Sequence, residues 1–423
     1  MTELKGKKLL ILGGAFQHCK LVRAAKELGV YTIVTDYLKD SPAKQLADQS
    51  YMYNIKDVDE LVALCKKEHV DGILHGYIDP CQRPYSMICD QMKYHCFGSS
   101  EQYFTLTDKH AFKRLCAKAG VDTIEEYKLS DFYDEKKEIK YPVFVKPVDS
   151  RGSRGMTICS SVEEVERAVE LAKTESSNGD ILIERYFGGY DEFQVTYFFI
   201  NGRGYLLRTA DRYLGDKKLK LDKVGICTVS PSCHTTMYLD HVHEKVLKML
   251  QTLGIKNGPV FMQGFVDGDT VRFFDPGMRF PGGDYENLYK EIFDIDLMKQ
   301  MVIYALTGAF TISSLPFESV NIKDKKIALL FPTIKEGKIQ KIVGMKECLK
   351  EAGVQTFFPR YYEGDVVPAA YNVNQRFAEI DIIGEGLEDL KEKIKYIQQC
   401  LKVVNEHGQN MIFGEIDVKT IKG

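Results

Sequence analysis

Residues 141–156, YPVFVKPVDSRGSRGM, place Lys146 inside an otherwise apolar strand and follow it with a glycine-rich loop. The backbone N–H groups of such a loop can surround a phosphate, while a lysine adds a positive charge. Each feature alone is common, because strand lysines usually lie at sheet edges and Gly/Ser/Arg loops are usually plain hairpins. Their adjacency predicts phosphate binding by Lys146 and by the loop, through Ser153 and Gly155.

The next strand, ILIERYF at residues 181–187, is a candidate for binding a flat base. Its backbone from Glu184 through Arg185 and Tyr186 to Phe187 can offer one donor and one acceptor beside apolar faces. Glu192, shortly downstream, could accept two ribose hydroxyls. The competing interpretation is a core strand with solvated glutamates, and only the neighbouring motifs favour the nucleotide.

Residues 259–279, PVFMQGFVDGDTVRFFDPGMR, predict a hairpin around an Asp-Gly turn. If its loop is the three residues 267–269, Gln263 and Asp275 point to the same face; a two-residue turn would send them to opposite faces. One carboxylate and one amide oxygen suffice for Mg²⁺, which keeps several waters. Arg279, one turn later, could hold a carboxylate or a phosphoryl group in transfer.

Upstream, short apolar runs alternate with helical periods from residue 7 to about 104 and predict parallel strands joined by helices. A helix with Thr107 as its N-cap follows and carries Lys109 in its first turn. Gly13 and Gly14, with Asp36 after the next strand, also suggest a nicotinamide-dependent oxidoreductase. The GGAFQH pattern lacks the third glycine of the dinucleotide fingerprint, which makes this alternative the weaker one.

Composition excludes several classes of protein. The chain has 423 residues, 57 basic against 60 acidic side chains and a formal charge of −3, so it lacks the basic surplus expected of a nucleic-acid binder. No apolar run approaches the roughly 18 residues needed to cross a bilayer. The 11 cysteines show no CxxC spacing, which favours a reduced, cytoplasmic protein.

Together these motifs resemble the ATP-grasp superfamily, in the branch with biotin carboxylase, the carbamoyl-phosphate synthetase large subunit and carboxylate-amine ligases. TDKHAFKRLCAKAGV resembles the helix whose early lysine, here Lys109, reaches the phosphates. The resemblance implies an α/β and α+β fold: a Rossmann-like pre-ATP-grasp domain at 1–104, an ATP-grasp domain of two subdomains at 105–312 with a lid at roughly 140–190, and a C-terminal α+β cap similar to that of biotin carboxylase at 313–423.

The resemblance also implies the chemistry. ATP, with Mg²⁺ or alternatively Mn²⁺, would activate a small carboxylic acid as an acyl phosphate that an amine attacks, with Lys146 and Arg279 as catalytic residues. Relatives of this architecture are often dimers, so a homodimer is expected. Two departures stand out: Gln263 replaces the usual glutamate at the first metal position, and Gly277 replaces a common asparagine. An ATP-binding regulatory or scaffold protein with impaired turnover is therefore the second interpretation.

Four residues are candidates for recognition of the substrate. His18 and Asp79 follow predicted strands at their carboxyl ends, where ligands of open α/β sheets bind. Arg208 and Arg212, in YLLRTADRY, could bind a carboxylate. Each of the four is individually as well explained by a surface, capping or solvated-strand role.

Overall fold

The computed structural model describes residues 4–147, 156–176, 179–221, 224–283, 285–316, 320, 322–351, 353–370 and 372–423. Within these residues all eleven cysteines are free thiols. None of the helices in this part of the chain combines the length and the apolarity that crossing a bilayer requires.

The N-terminal part is a four-stranded parallel sheet in the order β3-β2-β1-β4, as the alternating apolar runs predicted. Its central strand β1 is almost wholly buried, because helices cover both faces of a parallel sheet. The elements are β1 Lys8–Leu12, α1 His18–Glu27, β2 Tyr31–Thr35, α2 Pro42–Leu46, β3 Gln49–Tyr51, α3 Val58–Glu68, β4 Gly72–Leu74 and α4 Gln82–Met92.

Two helices, α5 Ser100–Thr107 and α6 Lys109–Ala119, lead out of this sheet. The assignment of Thr107 as N-cap is wrong: its hydroxyl donates to the carbonyl of Tyr103 within α5. Asp108 caps α6 instead, and its Oδ1 accepts from the N–H of Ala111 at 2.8 Å. A carboxylate one residue later is the better acceptor for the exposed N–H groups of the helix.

A small antiparallel sheet, here called the lid sheet, follows in the order β5-β8-β6-β7. Its own apolar cluster packs helix α7 against strand β6, and the side chain of Ser161 caps α7 by accepting from the N–H of Glu164. The elements are β5 Glu126–Tyr127, β6 Val143–Pro147, β7 Thr157–Cys159, α7 Val162–Glu175 and β8 Ile181–Arg185.

The largest sheet has eight strands in the order β13-β12-β9-β10-β11-β14-β19-β17. Residues 192–214 and 260–275 form antiparallel strands in it, the second pair being the hairpin that the sequence predicted. The elements up to residue 307 are β9 Glu192–Ile200, β10 Arg203–Leu214, β11 Gly225–Ser230, α8 Thr235–His241, α9 His243–Thr252, β12 Gly258–Asp267, β13 Thr270–Gly277, α10 Tyr285–Phe293 and α11 Leu297–Thr307.

The C-terminal part adds three strands to this sheet and packs a second apolar cluster around helix α13. Because β11 pairs with β14, strand pairing continues across the boundary expected at residue 312, and that boundary stays a prediction. The elements are β14 Lys326–Leu330, β15 Thr333–Ile334, β16 Gly337–Val343, α12 Met345–Lys350, β17 Val354–Pro359, β18 Val366–Val367, β19 Ala378–Gly384, α13 Leu387–Cys400, β20 Lys402–Asn405 and β21 Ile412–Phe413.

Candidate active site

A cleft of about 1160 Å³ lies between the lid sheet and the eight-stranded sheet. It collects most of the residues that the sequence singled out. Those on its wall are Asp79, Lys109, Lys146, Glu184, Arg185, Tyr186, Phe187, Glu192, Arg212, Gln263 and Asp275. Arg279 lies buried directly behind this wall and donates to Asp79. Ser153 and Gly155 lie outside the described residues.

Lysines from two elements surround one buried glutamate on the lid side of the cleft. Glu184 of β8 forms ion pairs with Lys146 of β6 and with Lys113 of α6, the latter at 2.8 Å. Lys109, one turn before Lys113, also faces the cleft. The sequence analysis missed Lys113, although its (i, i+4) spacing from Lys109 puts both side chains on one face of the helix.

These charges change the protonation of the site. Burial alone would raise the pKa of Glu184, but Lys146 and Lys113 outweigh it and hold the pKa below its ordinary value. The pKa of Lys109 is lowered by burial and by the nearby charge of Lys146. Glu126 also pairs with Lys113 at 2.8 Å, so three lysines face two carboxylates, and the one excess positive charge suits a polyanionic ligand.

The hairpin of β12 and β13 turns through two residues, because Asp267 pairs directly with Thr270. The expected three-residue loop is therefore wrong, yet Gln263 still faces Asp275. The physical reason is a β-bulge: Gly264 pairs with Phe273, so Phe274 is an extra residue on β13. One extra residue reverses the alternation of side chains and restores the pairing of Gln263 with Asp275 on one face.

A polar network holds the amide of Gln263. Its Nε2 donates to Oε2 of Glu192 at 2.9 Å, and its Oε1 accepts a long hydrogen bond of 3.4 Å from Gln194. Arg212 forms an ion pair with the same Oε2 of Glu192. An amide oxygen has two lone pairs, and this one long bond uses at most one of them, so Oε1 can still bind a cation. Together with the carboxylate of Asp275, it offers two oxygen ligands of the kind that Mg²⁺ accepts.

Arg279 joins the hairpin to the N-terminal sheet. Its Nε and Nη2 both donate to the carboxylate of Asp79, the second at 3.1 Å, and Nη2 lies 3.6 Å from Oδ2 of Asp275. Burial raises the pKa of Asp275, partly offset by Arg279, and Asp79 raises it further. Asp79 therefore positions Arg279 beside Asp275, and the role of Arg279 toward a carboxylate or phosphoryl group stays a prediction.

The segment 184–187, expected to hold a base, already uses part of its backbone in hydrogen bonds within the protein. The N–H groups of Arg185 and Tyr186 donate to the carbonyls of Glu125 and Pro142, at 3.0 and 2.9 Å. The N–H groups of these two residues are therefore not available to a base. An aromatic wall that the sequence analysis missed stands beside the segment: Phe265 stacks on Phe187 and on Phe274, with ring centroids 5.4 and 4.9 Å apart.

Two candidate residues do not reach the cleft. His18 is fully buried, its Nε2 lies 2.8 Å from the carbonyl oxygen of His75, and burial lowers its pKa. Arg208 is 2% exposed and donates to the hydroxyls of Ser230 and Thr228, both at 2.9 Å. Both side chains therefore stabilise the fold, and a direct substrate contact by either is not supported by its position.

The nicotinamide alternative also lacks a site. The carboxylate of Asp36 accepts from the N–H of Gly14 at 2.7 Å and of Leu38 at 2.8 Å. A side-chain carbon built on Gly14 would lie 2.2 Å from Oγ of Ser41, so this loop is already filled. The carboxylate of Asp36 that would bind a ribose is engaged by backbone N–H groups. The loop that would hold the pyrophosphate is filled by Ser41.

One further cluster has metal-ligand chemistry. Asp211, Cys233 and His234 offer ligand atoms within 4.8 Å of one another at the edge of the cleft. The carboxylate of Asp211 already accepts from the hydroxyl of Ser232 and from the N–H of Cys233, and His234 bonds Asp191 at 2.9 Å. These hydrogen bonds stabilise the loop that follows β11, and this structural role accounts for the cluster.

Comparison with known proteins agrees with this geometry. Residues 108–204 match the family model of the carbamoyl-phosphate synthase L chain, ATP binding domain, and residues 9–83 match that of the PylC-like N-terminal domain. The formate-dependent phosphoribosylglycinamide formyltransferase of Methanocaldococcus jannaschii is 28% identical over 200 residues, which are 46% of this chain and 51% of that protein. The chain thus spans about half the length of this curated relative.

Solved structures match over nearly the whole chain. Phosphoribosylglycinamide synthetase from Anaerococcus prevotii superposes with a TM-score of 0.77 at 20% identity, covering 95% of this chain and 100% of that one. The biotin carboxylase domain of Hydrogenobacter thermophilus 2-oxoglutarate carboxylase gives 0.76 at 18% identity, covering 96% and 91%. At these identities the structures establish the fold alone. The comparisons thus show a chain whose fold is that of these solved structures, with one region similar to a PylC-like N-terminal domain and the next similar to the ATP binding domain of the carbamoyl-phosphate synthase L chain.

Proposed function

We propose that the protein is an ATP-dependent ligase that activates a small carboxylic acid as an acyl phosphate and joins it to an amine. The observation that carries the proposal is the convergence of Lys109 and Lys146 with Gln263 and Asp275 on one cleft. Phosphoryl transfer needs little covalent help from a protein and much positioning and charge stabilisation. The wall of this cleft supplies both.

The residues fit ATP and Mg²⁺. The lysines present positive charge where phosphates would lie, and the aromatic wall of Phe187, Phe265 and Phe274 suits an adenine. The carboxylate of Asp275 and Oε1 of Gln263 would hold the metal ion, which supplies charge neutralisation at the phosphoryl oxygens. The biotin carboxylase domain of Hydrogenobacter thermophilus was solved with MgADP, which supports a magnesium nucleotide as the ligand here.

Each side chain then has a role. Lys146 and Lys109 bind the phosphates, and Glu184 orients Lys146. Arg279 holds a fork of fixed charge beside Asp275, where it would stabilise the phosphoryl group in transfer. Closure of the lid sheet over the cleft would exclude water, which otherwise hydrolyses an acyl phosphate.

The finer assignments extend this proposal. Asp79 and Arg212, which both line the cleft, are the best placed of the candidate substrate residues. A homodimer is proposed because the Hydrogenobacter thermophilus domain was solved as a dimer. We also propose that the protein acts in the cytoplasm on two small molecules, an acid and an amine.

The test is release of ADP from MgATP in the presence of paired acids and amines. We expect release that requires both an acid and Mg²⁺, and a new C–N bond in the product by mass spectrometry. A protein that binds MgATP and releases no ADP with any pair would instead support the second candidate, a nucleotide-binding regulatory protein. The engagement of the Gln263 amide by Glu192 is the observation that favours that candidate.

A further inference from the structure

Arg376, just before β19, carries a buried positive charge that shares the buried carboxylate of Glu379 with a neighbouring arginine. The residue is 8% exposed, and its Nε has no hydrogen-bond partner. Its guanidinium lies over the ring of Phe331, 4.1 Å from the centroid. None of the ion pairs among the described residues involves Arg376. A buried charge is normally paired and hydrogen-bonded, so this group calls for a ligand.

Two more arginines stand beside it. A side-chain carbon built on Gly225 would lie 2.9 Å from Nε of Arg212 and 3.0 Å from Nη2 of Arg376. Both guanidinium groups therefore pack against this glycine and lie close to each other. Arg360 has no hydrogen-bond partner for its Nε and Nη2, and the nearest oxygen of Glu379 is 4.0 Å from that Nη2. Arg360 and Arg376 thus have Glu379 as their shared carboxylate, while Arg212 pairs with Glu192.

The electrostatics agree with the geometry. Burial, followed by the charges of Arg360 and Arg212, lowers the pKa of Arg376 to about 9, although Glu379 acts in the opposite direction. The group is still cationic at neutral pH, so the fold keeps neighbouring positive charges together. The adjacent Gln375 is also fully buried, and neither its amide nitrogen nor its amide oxygen has a partner. An oxyanion at this place would satisfy the arginines.

The position of the arginines connects them with the reacting end of the cleft. Arg212 lines the cleft and binds Glu192, which in turn accepts from Gln263 of the candidate metal pair. Arg376 is therefore linked to Gln263 by three contacts in succession, through Arg212 and Glu192. A small acid whose reacting carboxylate sits near Gln263 could reach Arg376 with a second group.

We propose that Arg376 and Arg360 bind a second oxyanion of the acid substrate, either a carboxylate or a phosphate ester. The inference rests on the proposed ligase function and narrows its substrate class to small acids with two anionic groups. The reacting carboxylate takes the phosphoryl group, and the second anion stays bound to the arginines as an anchor.

The test measures binding to the whole protein without nucleotide, by titration calorimetry. The probes are succinate, 3-phosphoglycerate, inorganic phosphate and butyrate, the last being close to succinate in length but with one charge. We expect succinate or 3-phosphoglycerate to bind, and butyrate to bind at least about 10-fold more weakly, as the loss of a charge-assisted hydrogen bond implies. Which of the two binds identifies the second group as a carboxylate or a phosphate ester.

The variants are Arg376→Gln and Arg360→Gln, with Arg203→Gln as control. Arg203 also lies over an aromatic ring, 5.0 Å from the centroid of Tyr205, but it is exposed and away from the cleft. Each test variant should weaken binding at least about 10-fold, and the control should not change it. The Tm of the apo Arg376→Gln protein should not fall, because the substitution relieves the repulsion from Arg360 and Arg212 while Glu379 keeps Arg360 as its partner.

Three outcomes would overturn the inference. They are binding of succinate and butyrate with equal affinity, binding of inorganic phosphate with neither diacid, or unchanged affinity in both variants. Lost binding together with a lower Tm would assign Arg376 a structural role and also reject the proposal. ADP release is measured separately: if diacids bind through Arg376 and no acid elicits ADP release, the ligase function fails while the oxyanion site stands.

Discussion

Arg279 at the end of strand β13 holds Asp79 of the N-terminal sheet with two of its nitrogens, while one of them, Nη2, also lies 3.6 Å from Asp275. The arginine is therefore shared between a positioning carboxylate and a candidate metal ligand. Its orientation depends on the N-terminal sheet, although the cleft itself is formed by the other two sheets.

We expect Asp79→Asn to impair turnover more than nucleotide binding. Without the Asp79 carboxylate, Arg279 would move toward Asp275 and neutralise it, and a displacement of about 1 Å can cost about 100-fold in rate. Steady-state ADP release gives kcat, and calorimetry with MgADP gives affinity. A parallel fall of both, or no change in kcat, would contradict the positioning role of Asp79.

Lys146→Ala and Asp275→Ala should separate binding from chemistry. Lys146→Ala removes the charge that faces the phosphates and should abolish ATP binding. Asp275→Ala leaves the lysines in place, so nucleotide binding should remain measurable while turnover disappears. Both are followed by fluorescence titration with a nucleotide analogue and by ADP release. Undiminished turnover in Asp275→Ala would refute the metal assignment.

Stability should fall in acid through Glu184. Its pKa is below the ordinary value in the folded protein, so its contribution is present above the unfolded pKa and is lost as the pH falls through the folded pKa. Glu184→Gln should lower stability by about 1–3 kcal/mol at pH 7, because two lysines lose their partner. The difference in Tm between the two proteins should shrink from pH 7 to pH 3.

A constant difference in Tm across that range would contradict the linkage to Glu184. Glu170→Gln is a suitable control. Glu170 also pairs with a lysine, Lys173 at 2.9 Å, but it is on the exposed surface of α7, where such pairs contribute little.

Gln263→Glu should tighten Mg²⁺ binding at a loss of stability. The substitution adds a second carboxylate to the metal pair, but it also places a charge where Nε2 now donates to Glu192. Titration of the ADP complex with Mg²⁺ should show the higher affinity, and apo Tm should be lower. If Mg²⁺ affinity is unchanged, Gln263 does not belong to the metal site.

The sequence predicted most of the residues that line the cleft, because strand alternation and helix spacing are local properties. Lys146 and Asp275 follow from such patterns. The bulge at Phe274 could not be predicted, since the extra residue depends on how β12 and β13 twist together. The sequence favoured a plausible three-residue turn, and the pairing of Gln263 with Asp275 was right for a different reason.

Residues whose surroundings are distant in sequence were harder to interpret. His18 follows a strand end, where ligands often bind, but its partner His75 comes from another strand and buries it. Arg376 gave no signal at all, because its neighbours Gly225 and Phe331 lie far from it along the chain. Charge compensation is a property of the folded molecule, which a linear pattern does not contain.

The pairing of β11 with β14 has a consequence for protein engineering. A chimaera that exchanges the segment after residue 312 with that of a relative would need a new strand that forms the same backbone hydrogen bonds with β11 as β14 does. If the new strand does not pair with β11, two strands inside the molecule are left with unpaired backbone N–H and C=O groups. Such sheet edges promote aggregation. Grafts aimed at new acid specificity should therefore carry β11 along with the transplanted cap.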